Sequence, residues 1–249
     1  MPKGHLLLDS ISLSVEEGST TAVLGRSGSG KTTLLRTVNG MVQPTSGEVV
    51  VHGRDNQKTE LIALRRGMGY VIQETGLFPH FTVERNAGLV LEAQGISRTE
   101  RLSRSHDLLR MVGLDPAHFG QRYPHQLSGG QRQRVGLARA LAADPRILLM
   151  DEPFGALDPL TRVEMQDMLL QLMGYLKKTV LLVTHDLNEA LYLADCMVLL
   201  DEGRLIASLT PDEFLRSSQP EVQAYVRAFH RKGRSTGDEG TTPRGGGKR

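Results

Sequence analysis

The stretch "TTAVLGRSGSGKTT", residues 20–33, constrains the fold more than any other part of the chain. An apolar run, Thr21–Leu24, enters a loop with glycines at 25, 28 and 30. Leu34, Leu35 and Val38 follow with helical spacing, and Asn39-Gly40 offers a stop. Glycine permits positive φ and close backbone approach, and a helix that opens there presents unpaired N–H groups. The pattern G-x-x-x-x-G-K-[ST] runs from Gly25 to Thr32 in the strand–loop–helix setting its mechanism requires. It reads as a loop that wraps the phosphates of a nucleoside triphosphate. Lys31 would reach the β/γ oxygens and the Thr32 hydroxyl would ligate Mg²⁺.

Further apolar runs predict strands at Glu48–Val51, Gly69–Ile72, Ile147–Met150 and Thr179–Val183. Several end on a polar or glycine residue where a βα connection begins, so the expected fold is α/β, with a largely parallel sheet flanked by helices. Between Phe81 and Gly113 the strand signal stops. Val83, Ala87, Val90 and Leu91 share a helical face within Thr82–Gln94, and Ser97–Glu100 reads as a capping box before Leu102, Leu109 and Val112. A helical insert, about residues 76–140, therefore separates two α/β parts. Later, "MVLLDEGRLIASL" predicts a hairpin about Glu202-Gly203, and Thr210–Glu213 a second capping box with proline at the first helical position. The expected organisation is one folded domain over 1–232 and a disordered polar tail over 233–249.

The formal charge of +2 belongs to that tail. From Arg231 onward there are six Lys/Arg and two Asp/Glu, so the rest of the chain carries −2. Nothing here builds a basic nucleic-acid-binding face. Cys196 is the only cysteine, which excludes an internal disulfide and fits a reducing compartment. No apolar run reaches membrane-spanning length, and the start is too short in apolar residues for a secretory signal.

The chemistry-bearing residues fall at strand ends, where ligands of open α/β sheets bind. "ILLMDEP" ends on Asp151, placed to hold Mg²⁺, and Glu152, placed to polarise an attacking water. Gln73 follows "GYVI" and His185 follows "VLLVT". Asp158 before Pro159 has good helix-capping chemistry and stands as either a cap or a site residue. A Ser-Gly-Gly turn, Ser128–Gly130, opens the helix of "LSGGQRQRVGLARALA" and aims N–H groups and positive potential at an anion. Its own half of the sequence holds no phosphate loop beside it.

These motifs resemble those of ATP-binding-cassette (ABC) ATPases over nearly the whole folded chain. "GRSGSGKTT" is similar to the family's Walker A, Gln73 to its Q-loop, Leu127–Gln131 to its signature, "ILLMDE" to Walker B, Ala156–Asp158 to the D-loop and His185 to the switch histidine. The resemblance implies a P-loop NTPase fold of ABC type: a RecA-like α/β core, an antiparallel β portion and a helical subdomain. It implies ATP and Mg²⁺ as cofactors. The nucleotide would be bound by Gly25, Arg26, Ser27, Gly28, Ser29, Gly30, Lys31, Thr32 and Thr33. Ser128, Gly129, Gly130, Gln131 and Asp158 would serve the nucleotide of a partner cassette packed head to tail. Thr32, Gln73 and Asp151 become the implied metal set, and Glu152, His185, Gln73 and Lys31 the catalytic one.

"MGYVIQETGLFPHFTVERN", "YPHQLSGGQRQRVGLARALAADP" and "MDEPFGALDPLTR" are most similar to ATPase subunits of bacterial osmoprotectant importers. That resemblance implies a peripheral subunit on the cytoplasmic face of the bacterial inner membrane. Its partners would be a second, identical cassette, transmembrane permease subunits and an extracytoplasmic binding protein, with membrane contact only through the permease. Importers of methionine, nitrate or sulfonates and lipid-trafficking cassettes share much of the wording, and a soluble non-transport ABC protein is a more distant alternative. Two departures stand out. No Phe, Tyr or Trp precedes "LLLDSIS" to stack on adenine, which leaves His5 as a substitute or the start of the chain too far downstream. The polar tail does not resemble the C-terminal regulatory domain pair that some osmoprotectant ATPases carry, so gating by such a pair is not expected.

Overall fold

The computed structural model describes residues 6–73 and 75–235. Strand β1 (Thr20–Leu24) passes through the glycine loop into α1 (Lys31–Val38). A short ribbon, β2 (Val50–Val51) and β3 (Arg54–Asp55), precedes α2 (Leu61–Arg66) and β4 (Met68–Val71). Helices α3 (Val83–Ala87), α4 (Leu89–Ala93), α5 (Arg98–Met111), α6 (Pro116–Phe119) and α7 (Gly129–Leu141) form the insert. Strands and helices then alternate through β5 (Ile147–Asp151), α8 (Pro159–Leu176), β6 (Thr179–Val183) and α9 (Leu187–Leu193). The hairpin β7 (Cys196–Asp201) and β8 (Arg204–Leu209) leads to α10 (Pro211–Arg216) and α11 (Pro220–Ser235).

The main sheet has the order β4-β5-β6-β1-β7-β8. Its first five strands are parallel, and only β8 runs antiparallel, on the edge. The period of two divides each strand between two layers. Val23, Leu149, Leu181, Val183 and Val198 pack with Leu34 and Leu35 of α1. Their neighbours Leu148, Met150, Val180 and Leu182 face the insert and α8, while Ala22, Leu24, Met197 and Leu199 face α9, α10 and α11. Both faces are buried, which is why these strands read as continuous apolar runs.

The insert and the sheet share one core. Val83, Ala87, Leu108, Leu109, Val135 and Leu137 join Val71, Leu148 and Met150 in a single apolar cluster. Gly69 of β4 makes the contact with α7 close: a β-carbon there would stand 2.5 Å from the Ala140 carbonyl oxygen.

The structure departs from the sequence reading in places with a clear cause. The segment expected as one helical face over Thr82–Gln94 is two helices that meet at Gly88. A β-carbon on Gly88 would lie 2.4 Å from Ser105 Oγ, so α5 crosses where the chain bends. The strand expected over Glu48–Val51 shrinks to two residues, because its only partner among the described residues is the equally short β3. Helix α11 continues through Gly233 to Ser235; the rest of the tail, and His5, lie outside the described residues. Among the described residues, no helix is long and apolar enough to cross a membrane.

Candidate functional site

Strand order decides which polar residues meet. Because β1 sits between β6 and β7 and β5 adjoins β6, the loop after β1, the acidic end of β5 and the histidine after β6 open at one edge of the sheet. The loop base is tightly packed. A β-carbon at Gly25 would approach the Leu200 carbonyl oxygen to 2.3 Å, and one at Gly30, where φ is 99°, would meet the Leu7 carbonyl oxygen at 2.7 Å. Glycine is required at both. Lys31 is buried, and its ammonium donates to the carbonyls of Gly25 and Arg26 at 2.9 Å each. Burial lowers its pKa, opposed by the charges of Glu152 and Asp151. Ser29 Oγ is buried within the loop without a hydrogen-bond partner, whereas Arg26, Ser27 and Gly28 are exposed. Thr32 and Thr33 occupy the first turn of α1.

Across the edge, the Thr32 hydroxyl donates to Asp151 Oδ1 at 2.9 Å. Glu152 adopts the left-handed backbone, φ 47°, which turns the chain sharply after β5. A non-glycine residue in that region marks a position held by its surroundings. Its Oε2 lies 3.2 Å from His185 Nδ1, with the glutamate 24% and the histidine 62% exposed. Gln73 reaches the same corner: a β-carbon on Gly155 would stand 3.5 Å from Gln73 Nε2 and 3.7 Å from Glu152 Oε2.

The Ser128–Gln131 motif is built differently. Ser128 caps α7, its Oγ accepting from Gln131 N at 3.2 Å while Gln131 Oε1 accepts from Ser128 N at 3.0 Å. Gly129 and Gly130 lie beside the segment after β5. A β-carbon on Gly130 would reach 2.3 Å from Thr161 Cγ2, and one on Gly129 3.8 Å from Leu157 Cδ2. Asp158 caps α8, accepting from Thr161 N at 3.1 Å, and hydrogen bonding to Thr161 holds its carboxyl below the ordinary range. Among the described residues, no hydrogen bond joins Ser128–Gln131 to the loop at Gly25–Thr33.

Three neighbours of the site escape a reading by motif. Tyr70 of β4 lies against Asp151 and Arg36. Arg139 of α7 donates to the carbonyls of Thr75 and Gly76 at 2.5 and 2.7 Å, so it clamps the turn just after Gln73. Tyr225 of α11 donates to the His185 carbonyl at 3.3 Å. Arg139 could have been suspected from its place on the apolar side of a basic helix. The two tyrosines carry no local signal.

A phosphate loop, an acidic strand end and a capped Gly-Gly helix on one mixed sheet define an ABC-type nucleotide-binding cassette. Residues 8–155 match the ABC transporter family. The glycine betaine uptake system ATP-binding protein YehX of Escherichia coli is 47% identical over 222 residues, covering 89% of this chain and 71% of that one. The osmoprotectant import ATP-binding protein OsmV of Salmonella typhimurium is 45% identical over 208 residues, 84% of this chain. This chain spans only 54% of the length of OsmV. Among solved structures, the dimeric post-hydrolysis state of the ATP-binding cassette MJ0796 bound to ADP and Pi is 35% identical, with a TM-score of 0.74. It covers 82% of this chain and 90% of its own. The chain belongs to the ABC transporter family.

Proposed function

We propose that this chain binds ATP through Gly25–Thr33, hydrolyses it with Glu152 as general base, and works in a head-to-tail pair of cassettes that powers a bacterial importer of quaternary-ammonium osmoprotectants. The contact of Glu152 with His185 at 3.2 Å carries the catalytic part. A carboxylate held by an imidazole beside a phosphate loop is placed to take a proton from water.

The loop fits a nucleotide. The unpartnered Ser29 Oγ and the glycine backbone offer donors to phosphate oxygens, and the Lys31 ammonium can exchange two carbonyls for β/γ oxygens. Thr32 and Asp151 fit Mg²⁺, because their paired oxygens are the hard donors it takes, and Gln73 would complete the set from the end of β4. Bound there, the ion would offset charge on the phosphates. Lys31 would stabilise the charge that develops on the transferred group, while His185 holds Glu152 and senses the γ-phosphate. Ser128, Gly129, Gly130 and Gln131, with Asp158, would complete the site of the partner cassette. That pairing accounts for an anion-seeking helix start that has no phosphate loop beside it in its own half of the sequence.

The cargo rests on relatives, since YehX and OsmV carry glycine betaine and osmoprotectant in their names. Permease subunits and an extracytoplasmic binding protein would complete the system, with the chain peripheral on the cytoplasmic face of the membrane. The test is to purify the tagged complex from membranes, measure Mg²⁺-dependent phosphate release, and titrate the associated binding protein. Glycine betaine, choline or carnitine should bind and methionine should not. Binding of methionine alone would overturn the cargo assignment and leave the ATPase assignment standing.

A further inference from the structure

Helix α11 reaches the catalytic corner from outside every motif that defines it. Its Val222 is fully buried, and Tyr225, Val226 and Phe229 pack on a cluster that includes Leu187 and Ala190 of α9, the helix that follows His185. From this seat the Tyr225 hydroxyl donates to the backbone carbonyl of His185 at 3.3 Å. The His185 side chain is 62% exposed, so packing alone does not locate it. The residues on either side are tied. Thr184 N donates to the Val23 carbonyl at 3.2 Å, and Asp186 N donates to Thr184 Oγ1 at 3.0 Å. Between these ties, Tyr225 supplies the partner of the His185 carbonyl.

The phenol also lies against the base of the phosphate loop. The Gly25 backbone lies close enough to the same oxygen to pull its pKa down, and Gly25 is packed so tightly on the Leu200 carbonyl that a β-carbon would not fit. The hydroxyl therefore lies between the base of the phosphate loop and an exposed histidine whose side chain meets Glu152. Burial pushes the Tyr225 phenol up to about 12 against the opposing pull of Gly25, so it remains a donor throughout the neutral range.

We propose that Tyr225 is a positioning residue for hydrolysis: from α11 it fixes the backbone at His185 and, through it, the contact of the ring with Glu152. This role rests on the ATPase reading above. It assigns the C-terminal helix a part in catalysis, acting on the histidine without touching nucleotide.

Tyr225→Phe keeps the ring in its apolar seat and removes only the hydroxyl. In the full chain without nucleotide, hydrogen exchange of a peptide covering residues 184–188 should speed up about threefold or more, with peptides from β1 and β5 unchanged. With MgATP, kcat should fall roughly tenfold while KM stays within about twofold, the pattern of a lost interaction that acts on the chemical step. In a His185→Ala background the same substitution should add no further loss, because the group it positions is gone. Unchanged exchange at 184–188 in an otherwise active chain would overturn this role alone. So would an equal fractional loss in both backgrounds, or faster exchange throughout the molecule. A wild-type chain that releases no phosphate would instead overturn the ATPase reading, and this role with it.

Discussion

The Thr32 hydroxyl donates to Asp151 Oδ1 at 2.9 Å, joining the first turn of α1 to the end of β5 across 119 residues of sequence. Such a bond is short-range in space because β1 and β5 both flank β6 in the sheet. It brings together two oxygen donors that could pass to a divalent cation with little rearrangement. Asp151→Asn should therefore raise the Mg²⁺ concentration needed for half-maximal phosphate release by about tenfold or more, as losses at metal-supporting positions do. Thr32→Ser should stay near wild type and Thr32→Val should follow Asp151→Asn. Superimposable Mg²⁺ curves for wild type and Asp151→Asn would remove this pair from the metal site.

Glu152→Gln keeps the shape of the side chain and removes its basicity. Turnover is expected to fall on the order of 10²–10⁴-fold, the usual contribution of a general base. ATP binding should persist, and size-exclusion chromatography in MgATP should show a dimer that accumulates. A variant that turns over like wild type would shift the base to another group at this corner.

Ser128 presents two separable roles, the cap its Oγ makes on α7 and the contact proposed above with a partner's phosphate. Ser128→Asp separates them. Aspartate caps a helix as well as serine and suits its positive end, so the melting temperature should hold or rise. The same carboxylate would repel a γ-phosphate presented by the partner, and turnover should fall at least about tenfold. Full activity with unchanged stability would confine Ser128 to capping.

Glu189 is buried beneath the corner where Glu152 meets His185, and its Oε2 accepts from the Thr184 hydroxyl. Burial raises its pKa above the ordinary 4.5, outweighing the pull of Thr184 and Arg162. The folded chain therefore takes up a proton at a higher pH than the unfolded one. This group favours folding most below the unfolded value, and that advantage is lost as pH rises through the folded value. The melting temperature of Glu189→Gln relative to wild type should then be highest well above the folded value and decline as pH falls toward the ordinary 4.5. A difference that is constant with pH, followed by calorimetry of both chains, would place the Glu189 charge in a neutral environment.

The phosphate loop was legible in the sequence because its determinants are local. Gly28 and Gly30 take positive φ, 80° and 99°, within a few residues of Lys31, and the strand before and helix after carry their own periodicity; the crowding of Gly25 by Leu200 and of Gly30 by Leu7 was not legible there. Strand β6 spans Thr179–Val183 as read, and the Glu202-Gly203 turn closes β7 on β8 with Asp201 opposite Arg204. The caps at Ser97, Asp158 and Thr210 were also readable, each being a bond to an N–H three residues on. Only the tertiary structure decided that β5 pairs with β6, Asp151 opposite Val183, which places Glu152 against His185. It alone turned Arg139 onto the carbonyls of Thr75 and Gly76, bent the insert at Gly88 over Ser105, and set Tyr225 under His185. The physical reason is one of range. Periodicity and capping record what a residue needs from its own few turns of backbone, whereas a strand's neighbour or a buried hydroxyl's acceptor is chosen by the free energy of packing the whole chain.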